Sequence, residues 1–316
     1  LGLWRTKTHR TGGFAMTLAS QTDAPIRPVA AVLWMLGSIA SFSIMAIAVR
    51  ELGGIYDTFE VMTYRSAISM VLVVLGAAIL GRLGDIRANR IGRHFYRNVL
   101  HFTGQNLWIY AMMTVPMAQV FALEFTSPIW VILLSPLVFG EKLTAPRLMA
   151  AALGFAGILI VTRPDFGTIN AGTLAAIACG FFFAATALMT KSLTRAETIV
   201  SILFWLTVMQ LVFGLLIAGY DGDMTLPNAQ TLPWLALIGL TGLTAHLCLT
   251  TALSLAPASF VFPIDFIRLP LIAIVGAIAY GEAVDPYVIA GGAVIFAGNW
   301  INLAFGPKAS VPTTKS

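Results

Sequence analysis

Charge is scarce in this 316-residue sequence, where Asp, Glu, Lys and Arg together make up 10%, against about 25% in an ordinary soluble domain. Nineteen basic and fourteen acidic side chains cannot furnish the water-facing surface of a globule this size. Cysteine is almost missing. Cys179 and Cys248 both lie inside apolar runs, so a disulfide framework and a paired-cysteine metal site are excluded. There is no GxxxxGK[ST] loop, which excludes ATP drive from within this chain. His246 lacks a second histidine at metal-ligand spacing, and neither metal nor cofactor is expected. What abounds is apolar: 58% hydrophobic residues, 20 of them Phe. The composition is that of an integral membrane protein, and it argues against a soluble enzyme or a nucleic-acid-binding domain.

A helix crossing a hydrocarbon core of about 30 Å needs roughly 20 apolar residues. Ten such runs are expected, near 29–49, 58–80, 96–115, 117–138, 145–162, 171–190, 198–218, 232–253, 258–279 and 286–305. They are too long and too evenly apolar for barrel strands. The expected fold is therefore an all-α polytopic membrane protein. Residues 1–28 form a cytoplasmic leader without the apolar stretch of a secretory signal, and residues 306–316 a cytoplasmic tail. With both termini in the cytoplasm, 15 of the 19 basic residues fall on that side. Arg50 and Arg163 fall outside, and Arg65 and Arg268 within spans. That bias sets the expected orientation.

At an offset of 141 the sequence repeats itself. Pro116 meets Pro257, Glu124-Phe125 meets Asp265-Phe266, Gly140-Glu141 meets Gly281-Glu282, and Phe155-Ala156-Gly157 meets Phe296-Ala297-Gly298. Five spans per half is odd, so residues 163–305 run inverted relative to residues 29–162. Inverted repeats with a site at their midplane interface mark secondary transporters. Five plus five spans, a proline opening spans four and nine, and Gly-Glu closing each resemble the drug/metabolite transporter superfamily, with two EamA domains. The resemblance covers about residues 30–305. It implies a bacterial inner-membrane carrier of a small molecule, with spans one to four and six to nine around a central cavity. That family includes exporters of amino acids and metabolites and importers of riboflavin and S-adenosylmethionine. Riboflavin import is the favoured expectation, with efflux of an amino acid or metabolite as the alternative. A membrane-embedded enzyme or sensor is the alternative from another class.

Charges inside spans carry the site. Glu124 and Asp265 each sit about eight residues into their spans, just either side of the midplane, and Arg268 follows Asp265 by three on one helical face. Arg65 lies equally deep in span two. Each costs about 2.5–3.5 kcal/mol at this depth even on the lenient insertion scale. Two acids and two arginines either lock the bundle as ion pairs or contact substrate or a coupling proton. Pro128, Pro263 and Pro270 each remove a helical hydrogen bond beside these charges, as expected of broken helices. Gln105 and its repeat partner His246 are candidate cavity-lining polar groups. Phe121 and Phe125, at i and i+4, are a candidate stacking surface for a planar substrate. Gly140-Glu141 and Gly281-Glu282 are read as turns and caps at span ends. The small residues of spans five and ten offer close packing or a homodimer contact.

Overall fold

The computed structural model describes residues 27–139, 144–162, 170–220, 224–256, 261, 264–283 and 285–305. Among the described residues every regular element is helical. The long helices are α1 (Pro28–Glu51), α2 (Thr58–Ile79), α3 (Ile91–Thr114), α6 (Ala145–Thr162), α7 (Ala171–Leu193), α8 (Ile199–Ala218), α9 (Leu232–Leu255) and α11 (Pro286–Phe305). The expected fourth span is two pieces, α4 (Met117–Glu124) and α5 (Ser127–Phe139). In the ninth the described residues show a 3-10 turn, Asp265–Ile267, followed by α10 (Arg268–Tyr280). Residues 1–26 of the leader, the tail, Pro263, Gly140-Glu141 and Arg163 lie outside the described residues.

Local chemistry explains the helix starts. Asp57 and Glu60 form a reciprocal capping box at α2, while Asn170 and Thr198 cap α7 and α8 through the amides of Thr173 and Ser201. Proline opens α1 and lies in the first turn of α9, where its missing N–H costs nothing. Among the described residues, six segments are long and apolar enough to cross a membrane, with α4 and α5 counted as one. Helix α3, although 24 residues long, is not among them. Its inward face carries His94, Arg97, Asn98, His101, Gln105 and Asn106, all buried.

The helices pair as α1 with α9, α3 with α7, α2 with α8, and α6 with α11, while α4 packs on α10. Exchanging the first half for the second leaves the first four of these pairs unchanged. The symmetry extends to single hydrogen bonds. Arg50 donates to the carbonyls of Met112 and Val115 at the end of α3. Lys191, at the equivalent place 141 residues on, donates to those of Leu253 (2.6 Å) and Ala256 (3.4 Å) at the end of α9.

Small residues set the closest approaches, as expected where lipid supplies no hydrophobic drive between helices. A Cβ on Gly157 would stand 2.7 Å from the carbonyl oxygen of Gly291, and one on Gly298 would stand 2.8 Å from that of Ala150. The small faces of α6 and α11 are thus spent on each other within one chain. Close packing is one of the two uses the sequence offered for these faces.

Candidate functional site

The fourth span breaks at its acidic residue, and in the ninth Asp265 opens the 3-10 turn that precedes α10. In α4 the last helical position is Glu124, and the chain turns through Phe125 and Thr126 before α5 begins. Pro128 is the cause: it has no N–H to offer the Glu124 carbonyl four residues back. The Ser127 hydroxyl donates to that carbonyl instead, at 2.5 Å, and the Thr126 hydroxyl donates to the Leu123 carbonyl at 2.8 Å. The break leans on α7 at Gly180, where a Cβ would fall 2.7 Å from Thr126 Oγ1 and 3.3 Å from the Leu123 carbonyl. Gly180→Ala is therefore expected to destabilise by about 1–3 kcal/mol, the usual cost of overpacking. Adding Thr126→Ala should recover part of the loss, as read from thermal melts in detergent. Pro270, expected to break span nine, sits in the first turn of α10, where proline is tolerated, and it points outward.

The broken ends bring three charges together. Arg268 Nη2 donates to Glu124 Oε1 at 2.9 Å and to Asp265 Oδ2 at 2.6 Å. Trp108 Nε1 donates to the other Glu124 oxygen at 2.8 Å. Phe42, Phe121 and Phe125 place their rings 5.2, 4.8 and 5.4 Å from the guanidinium carbon, a cation–π cage. Among the described residues, Asp265 Oδ1 and Arg268 Nε are buried and find no hydrogen-bond partner, so the cluster keeps spare hydrogen-bonding capacity.

Beside it lies a cavity of about 890 Å³, its open mouth included. Polar groups at its wall include Arg97, His101, Gln105, Glu124, Asp265, Arg268 and His246; Phe42, Trp108, Phe125 and Phe183 supply aromatic surface. It occupies the half of the bundle that holds the start of α3 and the ends of α7 and α9. The opposite end is tied together. There Arg50 pairs with Glu282 at 2.5 Å, Glu282 accepts the Met117 amide at 3.0 Å, and Tyr280 donates to Glu51 at 2.8 Å. Gly281 makes this possible, ending α10 in the left-handed region at φ 62° where other residues are strained. Glu282 therefore ties four segments together, which is more than the cap expected of it.

The structure rearranges several sequence expectations. Glu124, Asp265, Arg268, Gln105, His246 and Phe125 do share the cavity. Two independent acid–arginine pairs do not form: Arg268 takes both acids, and Arg65 stands apart beside Ser66, Gln210 and Gly242. Phe121 is fully buried behind Arg268, its ring edge-on to Trp108 at 6.0 Å, and is not part of the cavity wall. Phe183, repeat partner of Phe42, is. Arg97, counted with the loop arginines, is only 2% exposed and faces the cavity. A helical stripe at 97, 101, 105 and 108 was the signal for it.

Residues 29–163 and 170–304 each match the EamA-like transporter family. The chain belongs to that family. It is 32% identical to a riboflavin transporter of Vibrio cholerae over 85% of this chain and 91% of the relative. It is 31% identical to a riboflavin transporter of Rhizobium johnstonii over 89% and 93%. An S-adenosylmethionine uptake transporter of Rickettsia conorii is 22% identical over 83% and 88%. A crystal structure covering 88% of this chain and 97% of its own superposes with a TM-score of 0.64 at 15% identity, which speaks to the fold alone. The EamA chain is a polytopic, all-helical membrane protein and a small-metabolite transporter.

Proposed function

We propose that this EamA protein imports riboflavin, or a similar planar heteroaromatic, across the bacterial inner membrane by alternating access. Ten spans form two inverted five-span repeats, residues 29–162 and 163–305, with both termini in the cytoplasm. The observation that carries this reading is the half-exchange symmetry of the main helix pairs around one cavity, beside the helix break at Glu124 and the 3-10 turn at Asp265. A site between equivalent halves can be exposed to either side by rocking one half against the other.

In this reading the Arg50–Glu282 tie is the closed outer gate and the cavity faces the cytoplasm. The partnerless atoms of Asp265 and Arg268, with Gln105 and His246, receive the polar edge of the substrate, while Phe42, Phe125 and Phe183 receive its flat faces. Arg97 and Arg268 disfavour a cationic cargo such as S-adenosylmethionine. The protein acts as a carrier, not an enzyme, so solute appears inside unchanged. Uptake of radiolabelled riboflavin into proteoliposomes tests this; no uptake above empty liposomes would refute it.

The aromatic wall makes a further claim. A ring-to-ring contact is worth about 0.5–1.5 kcal/mol beyond burial, so Phe125→Leu or Phe183→Leu should weaken apparent riboflavin affinity by roughly 2- to 13-fold. Phe121→Leu should instead alter stability, because its ring supports Arg268 from behind. Competition measurements with wild-type affinity in both wall variants would remove stacking from the substrate site.

A further inference from the structure

A second group of cations stands next to the cavity, and the Glu124–Asp265–Arg268 cluster does not neutralise it. Arg65 is 4% and Arg97 2% exposed. The Arg65 guanidinium donates to Met62 Sδ at 3.3 Å, and its Nε is buried without a partner. Arg97 donates to Thr190 Oγ1 at 3.1 Å and Asn98 Oδ1 at 3.0 Å, both neutral acceptors. Among the described residues neither arginine has a carboxylate partner.

Two histidines stand with them. His101 and His246 meet edge-on with ring centroids 4.7 Å apart. Among the described residues, both nitrogens of His101 and Nε2 of His246 are buried and find no hydrogen-bond partner. His101 and Arg97 line the main cavity, and His246 lines both that cavity and the narrower space beside Arg65 and Gln210. Gly242, one turn before His246, makes room for Arg65: a Cβ there would stand 2.5 Å from its Nε. The guanidinium is thus seated against backbone.

An arginine keeps its charge in any protein environment, and such a charge is costly inside a bilayer unless it is compensated. Around the two spaces, among the described residues, three guanidiniums face two carboxylates, so one positive charge is left over. Planar guanidinium forks match planar oxyanions, and a neutral imidazole adds an N–H donor.

We propose that Arg65, Arg97, His101 and His246 form an anion-binding site that takes one carboxylate, free or as a substituent of the transported molecule. Riboflavin carries no carboxylate, so the second source requires a carboxylate-bearing planar heteroaromatic as the cargo, and only that source rests on the transport reading above. The test is binding to the purified full chain in detergent, read by tryptophan-fluorescence melting, so it does not require transport. Ionic strength is held constant while the bulky salt sodium HEPES is replaced by formate, by nicotinate, or supplemented with uncharged nicotinamide.

A saturable rise in Tm is expected with nicotinate and none with nicotinamide. A rise with formate as well identifies a free-anion site; nicotinate alone identifies a site for a substituent. Arg65→Gln and Arg97→Gln should each weaken the midpoint at least tenfold. If either fails to fold, Arg65→Lys and Arg97→Lys keep the charge but lose the planar fork, and should weaken it several-fold. No saturable rise with either acid, an equal rise with nicotinamide, or an unchanged midpoint in the arginine variants would overturn the site.

Discussion

Arg268→Leu is expected to reduce riboflavin uptake at least a hundredfold and to lower the melting temperature of the detergent-solubilised protein. The guanidinium is 3% exposed and serves Glu124 and Asp265 together. Its loss leaves two carboxylates in low dielectric with their mutual repulsion unrelieved. Removing one partner of a buried ion pair typically costs about 3–5 kcal/mol, whereas replacing the whole set by neutral groups is often tolerated. The triple variant Arg268→Leu/Glu124→Gln/Asp265→Asn should therefore melt higher than Arg268→Leu alone while remaining inactive. That split separates the two duties of the cluster, since folding needs only charge balance and transport needs the charges themselves. Wild-type uptake by Glu124→Gln and Asp265→Asn would assign the triad to structure alone.

Opening the tied end of the bundle is the second large effect. Arg50→Met removes the cation from Glu282 and the donor from the carbonyls of Met112 and Val115. A hydrogen bond to a charged group contributes about 1.5–3 kcal/mol, and 1.4 kcal/mol is tenfold in an equilibrium. The closed state should therefore lose about tenfold or more in population. Met45 is 1% exposed and lines the cavity, so it reports on this change. In a background lacking Cys179 and Cys248, a Met45→Cys probe should react with an external, membrane-impermeant thiol reagent about tenfold faster once Arg50→Met is added. Glu282→Gln should act in the same direction but less, because its amide still accepts the Met117 N–H. Equal labelling rates with and without Arg50→Met would show that the tie is not what keeps this end shut.

Much of the site was legible before any fold was in hand. The 141-residue offset aligned Glu124 with Asp265 and Gln105 with His246, and all four line one cavity. Proline next to a buried acid pointed to interrupted helices, and α4 does stop at Glu124. The stripe of Arg97, His101, Gln105 and Trp108 was equally readable. Arg97 counts instead with the cytoplasmic-side basic residues in that reading, because basic residues near a span end ordinarily belong to the membrane surface.

Partnership was not legible. Helical periodicity states which face and depth a side chain occupies, but not how far its helix is rotated toward one neighbour or another. The contact between Arg268 and Glu124 spans 144 residues of sequence, and two acids with two arginines admit several pairings of similar merit. Packing decided among them. Phe42, Phe121 and Phe125 wall Arg268 in from three sides, and Gly180 lets the α4–α5 break sit against α7. Gly242 seats Arg65 where, among the described residues, no carboxylate reaches it. Composition and period thus determined a membrane-embedded, twofold-repeated helical chain with charges at its middle. Which charges neutralise each other, and which arginine is left over, depended on close contacts between distant helices, and those exist only in the assembled bundle.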